Sequence, residues 1–343
     1  ERHSAISLHM KPFVRNIFLL FGIAAIIVML CTFDVDYHQL REKLPRAIAY
    51  LPFVAGVWIF VYAFNAGAFQ LIVNSGTHDK HLSFRHAYKL TVSGFAFSYT
   101  TPFGFGGGPY RVMELAAYIG TPRAMSSVVL YSMMHILSHI CLWASSIILF
   151  LIIYYEKADP FLWSCFGIFA AAFIFAIYFF YAGYKNGLIV KLYKIFLYVP
   201  FVKKYARRFY DKNLESMEQV DLNIAYLHRQ PRAFYGSLLM EYIARVINAL
   251  EFYFILLAFG APVTFWDAIL VLAFSSLMGN LLFFFPMQLG AREGGLALII
   301  KILGYANPGG VGIFSSFFTR IRELIWIFIG VSLVKIGNKS IMK

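Results

Sequence analysis

The chain has few charged residues, few cysteines and no nucleotide-binding motif. Charged residues make up 14% of its 343 positions, whereas hydrophobic residues make up 60% and aromatic residues 19%. A water-soluble core cannot bury so much apolar surface, so this composition excludes a soluble globular protein. Runs such as 160–183 carry no charge over a length that crosses hydrocarbon as a helix. We therefore predict an all-α polytopic membrane protein.

The scarcity of cysteine excludes two further classes of protein. Cys31, Cys141 and Cys165 all fall in apolar segments without CxxC spacing, so neither a zinc site nor a disulfide framework is expected. The first apolar run lacks a signal-peptide cleavage pattern and is interpreted as a retained span. The formal net charge is +13, but the lysines and arginines flank apolar runs. This arrangement indicates anionic lipid rather than nucleic acid as the partner.

Hydropathy divides the chain into full spans and interrupted segments. We predict full spans at about 13–33, 47–73, 123–154, 160–183, 233–259 and 309–337. Two other apolar segments, 82–119 and 263–304, are broken by proline and glycine in the middle. Each is predicted to be a hairpin of two short helices.

The two breaks share a spacing of proline and glycine. Pro102 is followed by Gly106 and Gly120, and Pro286 is followed at the same intervals by Gly290 and Gly304. The surrounding order also repeats: an apolar helix, a break with Arg and Glu, a short helix, a glycine, a proline and a long span. The chain is therefore predicted to contain an internal repeat, with an N-terminal membrane repeat at 1–183, a connector at 184–232 and a C-terminal membrane repeat at 233–343.

The distribution of lysine and arginine predicts the topology. If both hairpins are re-entrant, one face of the membrane receives only Arg41, Lys43, Arg46 and Lys157. The other face receives a much larger set, from the N-terminus through the connector to the C-terminus, and is therefore cytoplasmic. The first hairpin then enters from the cytoplasmic side and the second from outside, so the repeats are inverted. We predict about six full spans plus two inverted re-entrant broken-helix hairpins, with both termini cytoplasmic.

Broken helices at membrane depth indicate a polar cavity. Exposed backbone groups cost several kcal/mol each in lipid unless protein or a wet cavity satisfies them. Ionisable residues cluster near the breaks and within two spans: Arg111, Glu114, Glu241, Arg245, Glu251, Arg292, Glu293, Arg320, Arg322 and Glu323. The near balance of arginine and glutamate leaves two alternatives, mutual pairing or phosphate binding by two of the arginines.

Three other motifs have a simpler interpretation beside the functional one. His135 and His139 have metal-ligand spacing but no evident third ligand, which favours packing or lining of a cavity. Asp34 and Asp36 form an acidic pair that either belongs to a membrane transferase or is an ordinary solvated loop. The segment 188–210 is predicted to be a basic interfacial helix on anionic lipid, or a plain cytoplasmic connector.

At the two breaks the sequence resembles a known family. TPFGFGGGPYRVMEL (101–115), FPMQLGAREGGLALI (285–299) and the polar span EYIARVINALEFY (241–253) are similar to the membrane domain of lysylphosphatidylglycerol synthase/flippase proteins and their stand-alone relatives. The resemblance implies an integral protein of the bacterial or archaeal cytoplasmic membrane with two inverted subdomains and a lipid translocation cavity. Full-length members also carry a soluble aminoacyl-transferase domain. No such domain is evident here, so synthase activity is not expected.

The resemblance also implies a set of site residues. Arg111, Glu114, Arg245, Arg292 and Glu293 would line the lipid path. The breaks and the charged spans add Arg320, Arg322, Gly106, Gly107, Gly108 and Gly290 to the predicted substrate-binding residues. No catalytic residue, metal ligand or cofactor is assigned.

The sequence favours a transporter over an enzyme. The first hypothesis is a flippase that moves a lipid with a polar, phosphate-containing headgroup between leaflets, with a gradient or an ion as the driving force. The alternatives are a membrane-embedded transferase that uses Asp34 and Asp36 on a lipid-linked substrate, or a small-solute secondary transporter. Membrane lipids are the expected partners, and a homo-oligomer is possible.

Overall fold

The structure is a computed structural model that describes residues 37–75, 81–101, 106–186, 230–281 and 291–335, with single positions between 190 and 225. Several sequence predictions fall outside the described residues: the span at 13–33, Asp34 and Asp36, most of the segment 188–210, and the break residues Pro102, Pro286 and Gly290.

The described residues are almost entirely helical, as predicted. The helices are α1 (Tyr37–Asn74), α2 (Phe84–Thr100), α3 (Gly107–Ile119), α4 (Thr121–Tyr154), α5 (Pro160–Asn186), α6 (Pro231–Ala258), α7 (Phe265–Leu281), α8 (Ala291–Leu303) and α9 (Pro308–Lys335). A 3₁₀ turn at Tyr155–Lys157 separates α4 from α5. The bounds of α2 to α9 lie within a few residues of the predicted segments.

Helix α1 differs from its predicted span at its N-terminal end. The span was predicted to begin at about 47, but α1 begins at Tyr37 and has Pro45 and Pro52 inside it. The predicted start was about ten residues late because hydropathy detects only the apolar part of a helix. The polar residues Arg41 to Lys43 are adequate helix formers and extend α1 beyond its apolar section.

Three described helices are long and apolar enough to cross a membrane. They cover Arg41–Asn74, Thr121–Lys157 and Pro160–Tyr178. Helices α6 and α9, which were also predicted to span, have 28 residues each and are therefore about 42 Å long. They are long enough to cross a membrane. Each carries several charged residues in its middle, so neither meets the apolar composition of the three helices above.

The first break is closed by threonine side chains. The hydroxyl of Thr100 donates to the carbonyl of Ala96 at 3.0 Å, and the hydroxyl of Thr101 donates to the carbonyl of Phe97 at 2.7 Å. The hydroxyl of Thr101 also accepts a bond from the backbone N–H of Gly106 at 2.8 Å. Thr101 is extended, as the residue before a proline prefers. Helix α2 therefore ends here with its last carbonyls satisfied.

Helices α3 and α8 are matched elements. Each has 13 residues, and each is followed by a glycine with positive φ, +80° at Gly120 and +86° at Gly304. Residues with a Cβ rarely adopt this conformation, so glycine is the residue that allows each helix to end there. The recurrence of Gly120 and Gly304 in the sequence is thus a recurrence of one local structure.

Helices α1 and α6 form the central pair and run antiparallel. Leu71, near the end of α1, lies against Gly236 near the start of α6. At the opposite ends of the pair, the rings of Tyr50 and Phe254 are 6.4 Å apart. These two helices form the most extensive helix contact in the described part of the chain.

The other helix contacts correspond when α1–α4 are matched in order with α6–α9. Helix α2 packs on α9 and α7 packs on α4, while α1 contacts α4 and α6 contacts α9. Individual residues follow the same rule: Gly94 lies against Arg111, and Met278 lies against Gly295. Met278 and Gly295 are as far from Gly304 in sequence as Gly94 and Arg111 are from Gly120. Helices α1–α4 and α6–α9 therefore make corresponding helix and residue contacts.

Apolar side chains cover the outside of the molecule as well as its interior. Large exposed examples are Phe53, Ile152, Phe161, Ile174 and Phe328. A soluble monomer rarely exposes so much contiguous apolar surface, whereas a protein surrounded by lipid does. The charged residues in the middle of α6 and α9 include some of the most buried side chains, with Glu241, Glu251 and Arg322 at most 2% exposed.

Candidate functional site: an arginine-lined cavity between the two halves

A cavity of about 470 Å³ lies where the two halves meet. Its walls come from every described helix except α5. The volume falls within the range of small-molecule sites in proteins. The cavity is therefore large enough for a headgroup, and both repeats contribute to it.

Arginine is the main charged residue of the cavity wall. Arg111, Arg245, Arg292 and Arg322 line it, each from a different helix. Among the described residues, Glu251 is the one carboxylate in the wall. The predicted spans and breaks contain nearly equal numbers of arginines and glutamates, but the fold places four of the arginines in the cavity wall.

Arg322 and Glu251 form the most enclosed ion pair. Nε of Arg322 donates to Oε1 of Glu251 at 2.9 Å, and Nη2 donates to Oε2 at 3.3 Å. The indole N–H of Trp58 donates to the same Oε2 at 2.8 Å, and the guanidinium lies 3.9 Å from the centre of the Trp58 ring. Both oxygens of Glu251 are therefore already occupied.

Arg292 is held by the glutamate that follows Arg322. Its Nη1 donates to Oε1 of Glu323 at 2.8 Å. The hydroxyl of Tyr99 donates to the same oxygen at 3.2 Å, and Nη2 of Arg322 lies 3.6 Å from it. Helices α2, α8 and α9 thus meet at the carboxylate of Glu323. Helix α2 is the first helix of one helix pair, and α8 is the second helix of the other.

A third network joins α4 and α6. Nδ1 of His135 lies 2.7 Å from Oε2 of Glu241, and Nη2 of Arg245 lies 3.7 Å from that oxygen. Nη2 of Arg245 also lies 2.7 Å from Nε2 of His135. The same Nη2 lies 2.8 Å from Nδ1 of His135. The imidazole of His135 therefore contacts both Glu241 and Arg245 and links α4 to the two charged residues of α6.

Arg111 is held differently from the other three arginines. Its guanidinium donates to the backbone carbonyls of Leu90 and Thr91 at 3.4 Å and lies 5.1 Å from the centre of the Tyr131 ring. Gly94 leaves the necessary room, because a Cβ there would lie 2.6 Å from Nε. Arg111 makes no ion pair with any carboxylate in the described ranges. Its charge is not neutralised locally.

The cavity wall also contains buried polar atoms without a hydrogen-bond partner. They are the hydroxyl of Tyr62, Nδ2 of Asn65, Nδ1 of His139, Oδ1 of Asn248 and Nη1 of Arg322. Buried polar groups in proteins are nearly always bonded, so an unbonded set on neighbouring residues is unusual. These atoms have almost no accessible surface, so they lie behind the surface of the cavity.

The cavity brings together part of the predicted site. Arg111, Arg245, Arg292, Arg322 and Gly108 line it. Gly106 and Gly107 shape the first break, since a Cβ on Gly107 would lie 2.2 Å from Oγ of Ser98.

The remaining predicted residues do not appear in the cavity wall. Glu293 and Arg320 pair with each other at 3.0 Å, and Ser316 donates to Glu293 at 2.6 Å. Glu114 lies on α3 outside the wall, and Gly290 is outside the described residues. In this structure Glu293 and Arg320 tie α8 to α9.

Sequence reasoning did not assign several residues of the wall to the site: Trp58, Tyr62, Asn65, Asn248, Glu251, Ser275, Ser276 and Asn280. Two signals could have found some of them. Asn65 is an isolated amide in an apolar span, and Glu241, Arg245 and Asn248 recur at intervals of one helical face. His135 and His139 line the cavity, and the described residues hold no group of three potential metal ligands.

One of the comparisons with known proteins found a match to the chain. Neither the curated proteins nor the solved structures contain a match to the chain. The family model described as "Lysylphosphatidylglycerol synthase TM region" matches residues 17–329. That range includes both hairpins and all four arginines of the cavity. This match and the long apolar helices establish an integral membrane protein that belongs to the lysylphosphatidylglycerol synthase transmembrane-region family.

Proposed function

We propose that the protein moves a lipid with a polar, phosphate-containing headgroup between the two leaflets of the cytoplasmic membrane. The observation that carries the proposal is the arginine-lined cavity at the junction of two matched halves. Within a body that is otherwise apolar, this cavity gives a polar headgroup a sheltered place while the acyl chains stay in lipid.

The energetics of buried charge support a ligand-binding role for the cavity. An arginine at membrane depth costs at least about 2.5 kcal/mol on insertion scales, so intramembrane arginines usually mark a functional site. Four of them converge here. The planar guanidinium can bind two oxygens of a phosphate at once, which a lysine cannot do.

The arrangement of the halves supports alternating access. The central helices α1 and α6 are antiparallel, so an exchange of the two halves reverses the direction of each helix. We infer that the hairpins α2–α3 and α7–α8 are re-entrant and enter from opposite sides of the membrane. Transporters with inverted repeats bind substrate at the interface of the repeats, which is where this cavity lies. The basic stretch 188–210 would then lie on the anionic cytoplasmic leaflet.

Proteoliposomes test the proposal directly. Phospholipids that are fluorescent on an acyl chain are placed in both leaflets, and the fraction that a membrane-impermeant quencher reaches over time gives the rate of transfer. We expect the wild type to exceed protein-free vesicles clearly. Arg292→Ala should lower the rate about tenfold or more, since it removes a charge-assisted contact from the wall.

Two further variants control the experiment. Arg85→Ala removes an exposed arginine outside the cavity and should leave the rate unchanged. Arg292→Lys keeps the positive charge but loses the planar guanidinium that binds two oxygens at once, and should give an intermediate rate of transfer. Equal rates for the wild type and protein-free vesicles with every lipid tested would exclude lipid transfer.

A further inference from the structure

We propose that the cavity binds a proton together with an anionic headgroup, and that the imidazole of His135 holds this proton. The inference rests on the proposed function and specifies its driving force. One proton and one lipid with a single negative charge move to the same side of the membrane. The proton comes from water on one side, binds a ring nitrogen of His135, and returns to water on the other side.

Glu241 differs from the other buried acids in its partner. The others each accept a hydrogen bond from an arginine at 3.0 Å or less: Glu251, Glu293 and Glu323. Glu241 accepts no such bond from an arginine in the described ranges. Its Oε2 lies 3.7 Å from Nη2 of Arg245 but 2.7 Å from Nδ1 of His135. The closest charged contact of this carboxylate is therefore with a group that gains or loses a proton, not with a permanent cation.

His135 lies between this carboxylate and the cavity. Its side chain lines the cavity and is 39% exposed, whereas that of Glu241 is 0% exposed. Solvent in the cavity thus reaches the imidazole but not the acid. A neutral imidazole has one nitrogen lone pair that can accept a proton, and the imidazolium then donates from both nitrogens. One donor can bind Glu241 while the other serves an anion in the cavity.

The charges that act on His135 come from two neighbouring helices. They are Glu241 and Arg245 of α6 and Arg111 of α3. Among the described residues, the other helices packed on α4, which are α1, α5 and α7, place no charged residue or histidine in the cavity wall. On α4 itself, the neighbours of His135 are the rings of Tyr131 and His139.

This set of charges couples a proton to an anion. Two arginines and one glutamate leave one net positive charge beside His135 before it takes up a proton. The proton adds a second positive charge, and the negative charge of a headgroup in the same cavity compensates it. Each ligand therefore raises the affinity for the other by the same factor. A cavity that binds both ligands or neither moves them in a fixed ratio.

Proteoliposomes with an interior more alkaline by one pH unit test the coupling. The probe is a trace of acyl-labelled phosphatidylglycerol, added to the outer leaflet of phosphatidylcholine vesicles, and valinomycin with equal potassium on both sides holds the membrane potential at zero. A membrane-impermeant quencher reports the outer fraction. One pH unit is a tenfold ratio of proton activity, so one proton per lipid should concentrate the probe in the inner leaflet by up to about tenfold. Protein-free vesicles should keep it outside.

Two variants assign the proton to His135. His135→Gln keeps a hydrogen-bonding side chain beside Glu241 but carries no proton, so the probe should approach an equal distribution despite the pH difference. His135→Lys is permanently charged and should also abolish accumulation. His86→Gln removes a histidine outside the cavity wall and should accumulate the probe as the wild type does. Unfolding temperatures in detergent show whether each variant is folded.

The outcomes separate the coupling from the proposed function. An equal distribution with the wild type would overturn the coupling and leave the flippase intact. Accumulation by His135→Gln to the wild-type level would overturn His135 as the site of the proton. Acidification of the interior on addition of glycerol phosphate, without movement of the lipid, would support the proton site and overturn the lipid function. A probe that stays outside, with no acidification, would overturn both.

Discussion

Arg322 is the largest fully buried side chain of the described residues, and its charge is balanced within its own surroundings. The carboxylate of Glu251 binds the guanidinium of Arg322, and the ring of Trp58 stacks against the guanidinium plane. Glu323, on the same helix, lies 3.6 Å from Nη2. A buried ion pair of this kind costs more to break than it contributes when intact, because removal of one partner leaves the other charged and unsolvated.

Glu251→Gln is therefore expected to destabilise the protein by about 3 kcal/mol or more. Glutamine can still accept the indole N–H of Trp58, so the substitution removes charge with little change of shape. Thermal unfolding of the detergent-purified protein measures the effect.

The double variant Glu251→Gln with Arg322→Met distinguishes the charge from packing. It removes the unpaired guanidinium together with its partner, so it should unfold at a higher temperature than Glu251→Gln alone. If Glu251→Gln unfolds at the same temperature as the wild type, the ion pair is solvated and the buried network does not stabilise the fold.

At the scale of the element, glycine sets how closely the helices approach. Gly330 of α9 lies directly against α2: a Cβ there would be 2.6 Å from Cβ of Ala96 and 2.7 Å from the carbonyl oxygen of Val92. The hydroxyl of Ser93 donates to the carbonyl of Gly330 at 3.1 Å across the same contact. Small residues allow this close packing between helices in a membrane.

Gly330→Ala should force α9 away from α2 and destabilise the protein by about 1–3 kcal/mol. It should also lower the rate of lipid transfer, since Arg322 and Arg292 are positioned through α9. Gly56→Ala in α1 is the matched control, because no atom lies within 4 Å of its added Cβ. Equal unfolding temperatures for the two variants would contradict the packing described here.

Most helix positions could be predicted from the sequence, because hydropathy and the positions of proline and glycine are local properties of the chain. Apolar runs predicted the helices, and the proline and glycine breaks predicted that α2 and α3, and likewise α7 and α8, are separate short helices. The pairing of residues across helices could not be predicted in the same way. Arg322 is next to Glu323 in the sequence, but its partner Glu251 lies on another helix, and only the three-dimensional fold brings Arg322 and Glu251 within 2.9 Å of each other. Likewise, the start of α1 was missed because its first turns are polar.

At the scale of the whole molecule, the halves are related through an antiparallel central pair. This relation predicts that equivalent turns lie on opposite sides of the membrane. Thr121, which follows Gly120, and Ala306, which follows Gly304, are both exposed. They mark the ends of the first and second hairpins.

In a cysteine-free background, Thr121→Cys should be labelled only from the cytoplasmic side and Ala306→Cys only from outside. A membrane-impermeant maleimide applied to oriented cells or vesicles measures this accessibility. Glu156→Cys, in the turn after α4, provides an outside reference. Labelling of Thr121→Cys and Ala306→Cys from the same side would show that the repeats are not inverted.

The contact of Gly94 with Arg111 and the equivalent contact of Met278 with Gly295 place unlike side chains on like backbones. One half positions a guanidinium where the other positions a thioether. If opening toward each leaflet exchanges the roles of the halves, the inward-open and outward-open states differ in energy by what these side chains contribute. On the proposed alternating-access function, we therefore expect the empty protein to prefer one of the two orientations, set by its side chains and not by its backbone.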